Sequence, residues 1–292
     1  MTLAGSLLTL VLGGLEVSLQ PGVARPGDAV LVEVTGTTDA PSGQLGSAEL
    51  VFLPWHQHWL ALVALSVDRR AGRLELEITG EGPDGKERVS GELEVRKADF
   101  RRRQLTVSKR FTNPSRKERL QSIADQKAFT EAFDRDFEPW GFDQGFAWPR
   151  QDEVSAPFGD LRLFNGKKQS QHFGSDVNGE TGDPIFASNA GEVVMVRECF
   201  GSGGTVLIHH GGRLFTSYFH MSAFDVKVGQ HVLRGQPLGK VGSSGRVTGP
   251  HLHFGVKLDG RWVDPESLLR LEFPKDGATD RPTSPAVSEE KP

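Results

Sequence analysis

The sequence predicts a mainly β protein with at least two β-rich domains joined by a short helical connector. Three observations carry this. Short β-branched or alternating runs recur along the chain, turn dipeptides separate them, and a helical pattern appears only once over any length. The 35 glycines and 17 prolines agree with frequent turns. At 292 residues the chain is long enough for about two domains, and its 37% hydrophobic content can fill real cores.

The first 14 residues, MTLAGSLLTLVLGG, are mostly apolar. The run is too short to span a membrane and lacks the basic start of an export signal. Residues 1–14 read either as a signal-like segment or as an ordinary first strand. The single cysteine, Cys199, excludes an intrachain disulfide and a cysteine-rich metal site; it reads as a small buried residue. A net charge of -4 without a long basic block argues against nucleic acid as a partner.

Residues 15–97 carry the first series of strands. They include Ala29 to Val34, Glu49 to Leu53, Trp59 to Val67, Arg73 to Ile78 and Gly91 to Val95. Arg25-Pro26-Gly27-Asp28, Pro41-Ser42-Gly43 and Gly82-Pro83-Asp84-Gly85 supply turns between them. This spacing predicts an immunoglobulin-like β-sandwich in architecture, without the cysteine pair of antibody domains. His56-Gln57-His58 lies here with no third ligand near it and reads as a polar edge.

Residues 98–150 read as a connector. Asp99 to Arg110 is basic and β-like. Ser115 is a plausible N-cap for a helix from Arg116 to about Phe133, with Leu120, Ile123, Ala124, Phe129 and Phe133 as a partial apolar stripe. In the aromatic stretch after it, Phe142, Phe146 and Trp148 are expected to pack against the second domain. Residues 151–270 return to β signals, as in Gly191 to Val196, Gly204 to Ile208 and Arg213 to Phe219. His209, His210 and His231 read as turn residues. Residues 271–292 are polar and proline-rich and read as a disordered tail.

The chemistry concentrates in the 151–270 segment. In Thr248-Gly249-Pro250-His251-Leu252-His253-Phe254 a turn leads into a strand. Period-two alternation puts His251 and His253 on one face, with Leu252 and Phe254 facing a core. His172 and Asp176 form an HxxxD pattern, and Tyr218-Phe219-His220 ends a strand with Tyr218 and His220 expected on one face. Catalytic zinc typically takes three protein N or O ligands and keeps one position open. Two histidines and one aspartate would satisfy that rule.

From about Val154 to Leu269 the chain resembles the M23 (lysostaphin-type, or LytM) zinc metallopeptidases. The matching residues are Ser155 to Gly159, Asn165-Gly166, His172 with Asp176, Gly182 to Ile185 and Gly191 to Val194. They continue through Tyr218 to Ser222, Val228 to Gln230, Gly235 to Gly239 and Gly245 to Phe254. The resemblance implies an antiparallel β-sheet catalytic domain. It also implies one Zn2+ held by His172, Asp176 and His253, with His251 as general base. His220 would stabilise the oxyanion or orient the water. Gly174 would let the backbone pass close to the site. It further implies a peptidoglycan peptide substrate, an exported periplasmic or cell-envelope location, and no integral membrane span. Ser175, where the family usually has an apolar residue, and Asn178-Gly179-Glu180 depart from the pattern. The 15–97 segment resembles accessory domains that precede some M23 domains. A second reading is a non-enzymatic LytM-type regulator that activates another cell-wall hydrolase; such domains lose metal ligands, which this sequence retains. A third is an enzyme held latent by the N-terminal domain or the connector.

Overall fold

The computed structural model describes residues 7–82, 85–166 and 168–275. The signal-like segment therefore falls partly outside the described residues, and so do the Pro83-Asp84 turn centre and the tail from residue 276. Within them, Leu8–Leu12 is a strand paired antiparallel with Leu15–Gln20.

Two five-stranded sheets form the N-terminal part. One runs in the order Leu8–Leu12, Leu15–Gln20, Ala29–Thr35, His58–Ala64, Leu53–Trp55. The other runs Val23–Ala24, Gly85–Val95, Gly72–Gly82, Ser42–Leu45, Ala48–Glu49. Their facing sides share a core that includes Val17, Val32, Val34, Leu76, Ile78 and Leu93.

The Ala29–Thr35 strand is buried on both faces. Val30, Val32 and Val34 fill the core between the two sheets, whereas Ala29 and Leu31 join the core of the C-terminal part. The neighbouring His58–Ala64 strand splits the same way, with Ala61 and Val63 on one side and Leu60 and Ala64 on the other. The unbroken apolar run Val30-Leu31-Val32 thus has a physical cause: at this strand both faces of the sheet are covered. The N-terminal sandwich is consequently docked rather than separate. Burial of Leu31 and Leu60 contributes roughly 1.5–3 kcal/mol each. Ala29 N donates to Ser267 Oγ at 2.8 Å and Asp264 N to Gly27 O at 2.7 Å across the same junction.

The C-terminal part is one antiparallel sheet. Its main path runs Val154–Ala156, Ser175–Asn178, His251–Leu258, Leu214–Phe224, Gly203–His209, Gly191–Cys199, His231–Val232. A smaller sheet borders it, in which connector residues Arg102–Leu105 run parallel to Leu161–Phe164, itself paired with Lys168–Gln171.

The helix spans Arg116–Phe133. Ser115 accepts from Glu118 N and donates its own N–H to the Glu118 carboxylate, a capping box. The apolar stripe differs in part from the expectation. Leu120 and Ile123 are exposed, whereas Phe129 and Phe133 pack toward the sheet as expected, with Asp125, Ala128 and Ala132 beside them. The cause is Asp125, whose buried carboxylate accepts from Arg197 Nε at 2.8 Å and Phe200 N at 2.7 Å. That anchor sets the helix rotation against apolar spacing alone.

Phe142 and Phe146 are buried in the shared core. Leu271 and Phe273, placed in a loose tail by composition, are buried as well. Phe273 packs on Trp55 and Phe142, and Trp55 Nε1 donates to Pro274 O at 2.8 Å. His209 ends a strand, and His210 is fully buried between Ala190 O and Thr216 Oγ1, so neither is a surface turn residue. Burial pushes the His210 imidazole down to about 3, which keeps it neutral inside this chain of hydrogen bonds.

Candidate active site

The site is built on two neighbouring strands. Ser175–Asn178 pairs antiparallel with His251–Leu258 so that Asp176 lies opposite His253 and Asn178 opposite His251. Leu252 and Phe254 are fully buried, leaving the two histidines on the other face. His172, just before the first strand, completes the cluster. Its Nε2 lies 2.9 Å from Asp176 Oδ1 and 2.9 Å from His253 Nδ1, and Asp176 Oδ1 lies 2.8 Å from His253 Nδ1.

The donor chemistry of this triangle fits a cation. His172 Nδ1 lies 2.9 Å from Pro157 O, which can only accept, so Nδ1 carries the ring proton in the neutral imidazole. Nε2 then points a lone pair at a carboxylate oxygen. Two acceptors at that distance are held together by a shared positive charge, a proton or a metal ion. His172, Asp176 and His253 are the described residues that group in this way.

Electrostatics agree. Burial alone would push the Asp176 carboxyl up, but its contacts with the His172 and His253 rings outweigh it and hold it well below the usual range. Its second oxygen accepts from the Arg162 guanidinium at 2.6 Å. Burial pushes His253 down to about 4, leaving a neutral imidazole with a lone pair to share. Phe219 stacks flat on His253, with 5.2 Å between centroids. Gly174 is required by close approach, because a Cβ there would sit 2.6 Å from both His253 Nε2 and Phe254 O.

Two further histidines border the triangle. His251 Nε2 is 3.7 Å from Asp176 Oδ1, and its Nδ1 donates to Gly249 O at 2.9 Å. His220 lies 4.9 Å from the His251 ring and 6.0 Å from the His253 ring, with Nδ1 donating to Ser244 O at 2.9 Å. Burial, then the neighbouring imidazoles, hold His220 well below its ordinary value. Tyr218 and His220 do not share a face. Tyr218 is fully buried against Phe254, whereas a left-handed backbone at His220 (φ 67) breaks the alternation and turns its ring to the site.

Sequence reasoning missed Arg162. The signal available was a charged residue between Leu161 and Leu163 on a short apolar strand. The second histidine pair stays apart from the site, with His58 Nδ1 lying 2.7 Å from Glu33 Oε1. Cys199 is buried and unpaired, and burial raises its thiol.

A groove of about 1160 Å³ lies along the sheet beside this cluster. His172, His220, His253 and Phe219 line it together with Phe129 and Phe133 of the helix. A smaller cavity of about 350 Å³ opens against Asp176, His220 and His251.

Residues 170–265 match the model of peptidase family M23. Over this segment the chain is similar to peptidase family M23. The chain is 44% identical over 122 residues to the peptidoglycan DD-endopeptidase ShyA of Vibrio cholerae, a match covering 41% of this chain and 28% of that protein. It is 39% identical over 115 residues to the DD-carboxypeptidase/endopeptidase Mpg of Neisseria meningitidis, covering 39% and 26%. The match thus spans under a third of either relative's length. A crystal structure from Pseudomonas aeruginosa assigned to peptidase M23 superposes with a TM-score of 0.58 at 26% identity, over 84% of this chain and 93% of that one. This likeness extends well beyond the M23 domain into the N-terminal sheets.

Proposed function

We propose that this protein is a zinc-dependent endopeptidase acting on the peptide stems or cross-bridges of bacterial peptidoglycan. The observation that carries the reading is the convergence of His172 Nε2, Asp176 Oδ1 and His253 Nδ1 within 2.9 Å of one another. One Zn2+ per chain would be held there. Bound zinc supplies Lewis acidity, polarising a scissile carbonyl and lowering the pKa of a water molecule.

The chain's own residues supply the rest. His251 commits Nδ1–H to Gly249 O, so its Nε2 is free to accept a proton from the attacking water. His220 commits Nδ1–H to Ser244 O, and its neutral ring offers an acceptor that orients the same water. Once protonated, that ring becomes a donor to negative charge on the carbonyl oxygen. Arg162 fixes Asp176 through one oxygen and leaves the other turned toward the histidines.

The complete ligand set, together with His251, supports an enzyme over a regulator that has lost its metal. The substrate class is carried over from the relatives, and with it a place in the cell envelope. No helix among the described residues is long and apolar enough to cross a membrane. The test is digestion of purified peptidoglycan by the full chain, with mass analysis of the products, with and without a chelator. Released peptides that disappear with chelator and return with zinc support the reading. Intact peptidoglycan at full zinc occupancy overturns it.

A further inference from the structure

Two arginines at the site are short of negative partners. Arg162 donates one guanidinium nitrogen to Asp176 Oδ2, while its Nε is buried without a hydrogen-bond partner. Arg246, in the loop leading to His251, has no carboxylate ion pair among the described residues. Its guanidinium lies 4.6 Å from the Phe164 ring centroid, and Phe164 is buried. Both arginines line the groove with His172, His220 and His253, and both line the smaller cavity with Asp176 and His251.

The nearby acids are committed elsewhere. Asp176 serves Arg162 and two imidazoles. Asp160 pairs with Arg101 and Arg103. Asp125 pairs with Arg197. Burial, then the like charge of Arg162, disfavours the cationic form of Arg246. A half-buried guanidinium without a counter-charge is costly to maintain. The Phe164 face offsets part of that cost and holds the fork in one orientation. A planar fork fixed in place beside a hydrolytic centre matches a carboxylate, which it can bind in bidentate fashion.

We infer that Arg246, supported by Arg162, is a specificity-determining residue that binds a free carboxylate of the substrate beside the scissile amide. The inference rests on the peptidase reading above and deepens it. The substrate class becomes a peptide whose residue next to the cleaved bond carries its own carboxylate. Such a group has two sources. One is the C-terminus, if the terminal residue is removed. The other is the carboxyl left on a diamino acid whose side-chain amine forms a cross-link.

The experiment uses the full, zinc-loaded chain and three synthetic peptides. The first is a cross-linked peptide with both carboxylates free. The second is amidated at the C-terminus, and the third at the carboxyl beside the cross-link. Binding is measured by calorimetry on peptides with a non-hydrolysable link, and cleavage on hydrolysable ones. Amidation of the recognised carboxylate should weaken binding about 10- to 100-fold and raise KM more than it lowers kcat. Arg246→Gln should show the same loss on the free carboxylate and no further loss on the amidated peptide. Arg246→Lys should recover part of it. Which amidation matters identifies the source. Equal losses for Arg246→Gln on all three peptides, or tight binding unaffected by either amidation, would overturn the inference. Carboxylate-dependent binding without cleavage of any peptide would sustain it while rejecting the peptidase reading.

Discussion

Asp176 and His253 face each other across adjacent antiparallel strands, with Oδ1 2.8 Å from Nδ1. The pairing holds the carboxylate ionised and places two proposed ligand atoms on hydrogen-bonded neighbouring strands. On the proposed assignment His253→Ala removes one of three protein ligands, and zinc content should fall severely, with activity following. His251→Ala should keep near-stoichiometric zinc yet lose a factor of about 10² to 10⁴ in rate. Elemental analysis alongside peptidoglycan digestion separates the two. Zinc loss in His251→Ala with retention in His253→Ala would reverse the roles.

His220 sits in a left-handed backbone conformation, so its substitution must respect the chain as well as the ring. Asn tolerates this region better than Ala. His220→Asn should fold and bind zinc like the parent, with turnover reduced by roughly 10² to 10³. A chromophoric zinc competition assay and a rate measurement suffice. Unchanged turnover would remove His220 from the chemistry.

Gly174→Ala tests the closeness of the two strands. The added methyl would meet His253 Nε2 and the Phe254 backbone carbonyl, so both the imidazole and the facing strand must shift. A displacement of about 1 Å at a catalytic centre costs about 10² in rate. The expected result is a folded protein with weakened zinc binding and that loss of activity. Parent-like zinc affinity would show that the strand itself gives way.

Much of this site could be read from the chain because it follows local rules. Period two put His251 and His253 on one face, and Ser115 announced its helix as an N-cap. What could not be read depends on register between distant strands. Asp176 meets His253 across 77 positions, and no local pattern specifies that alignment. The turn of His220 depends on a backbone irregularity, and the rotation of the Arg116–Phe133 helix depends on one buried carboxylate. Ala29 to Val34 reads in the sequence only as a β-branched strand, because the partner of its second buried face, around Ser267, lies 238 residues along the chain.

The junction between sandwich and M23 domain should weaken as pH rises. Burial pushes Asp28 up to about 6. Burial, then the charge of Asp28, pushes Asp264 up to about 7. Arg25, Glu266 and Arg270 face the same pair. Both folded values exceed the ordinary 3.8, so the stabilisation is fully present below about pH 4 and is lost as pH climbs through 6 to 7. Asp264→Asn keeps a side-chain acceptor for Glu266 N, as an N-cap, and removes the charge. It should stabilise the protein by on the order of 1–2 kcal/mol at pH 8 and much less at pH 4. Thermal melts at the two pH values decide it, and a pH-independent gain would show that the buried charge is not the cause.

The helix along the groove bears on access. Phe129 packs edge-on against Phe219, which stacks on His253, so the helix lies one ring from the proposed zinc ligands. Deleting everything before residue 151 would be a poor probe, because Phe142 and Phe146 belong to the shared core and Arg102–Leu105 completes a sheet. Asp125 offers a local handle, since its carboxylate ties the helix to Arg197 and Phe200. Asp125→Ala removes both bonds at a cost of about 1–3 kcal/mol, loosening the helix while the domain stays folded. If the helix restricts entry, the variant should digest intact peptidoglycan faster than the parent. A short soluble peptide, which needs less room, should be cut at nearly the parent rate. A loss of activity on both substrates, with zinc retained, would instead make the helix a wall that the substrate needs, and the latency idea would fail.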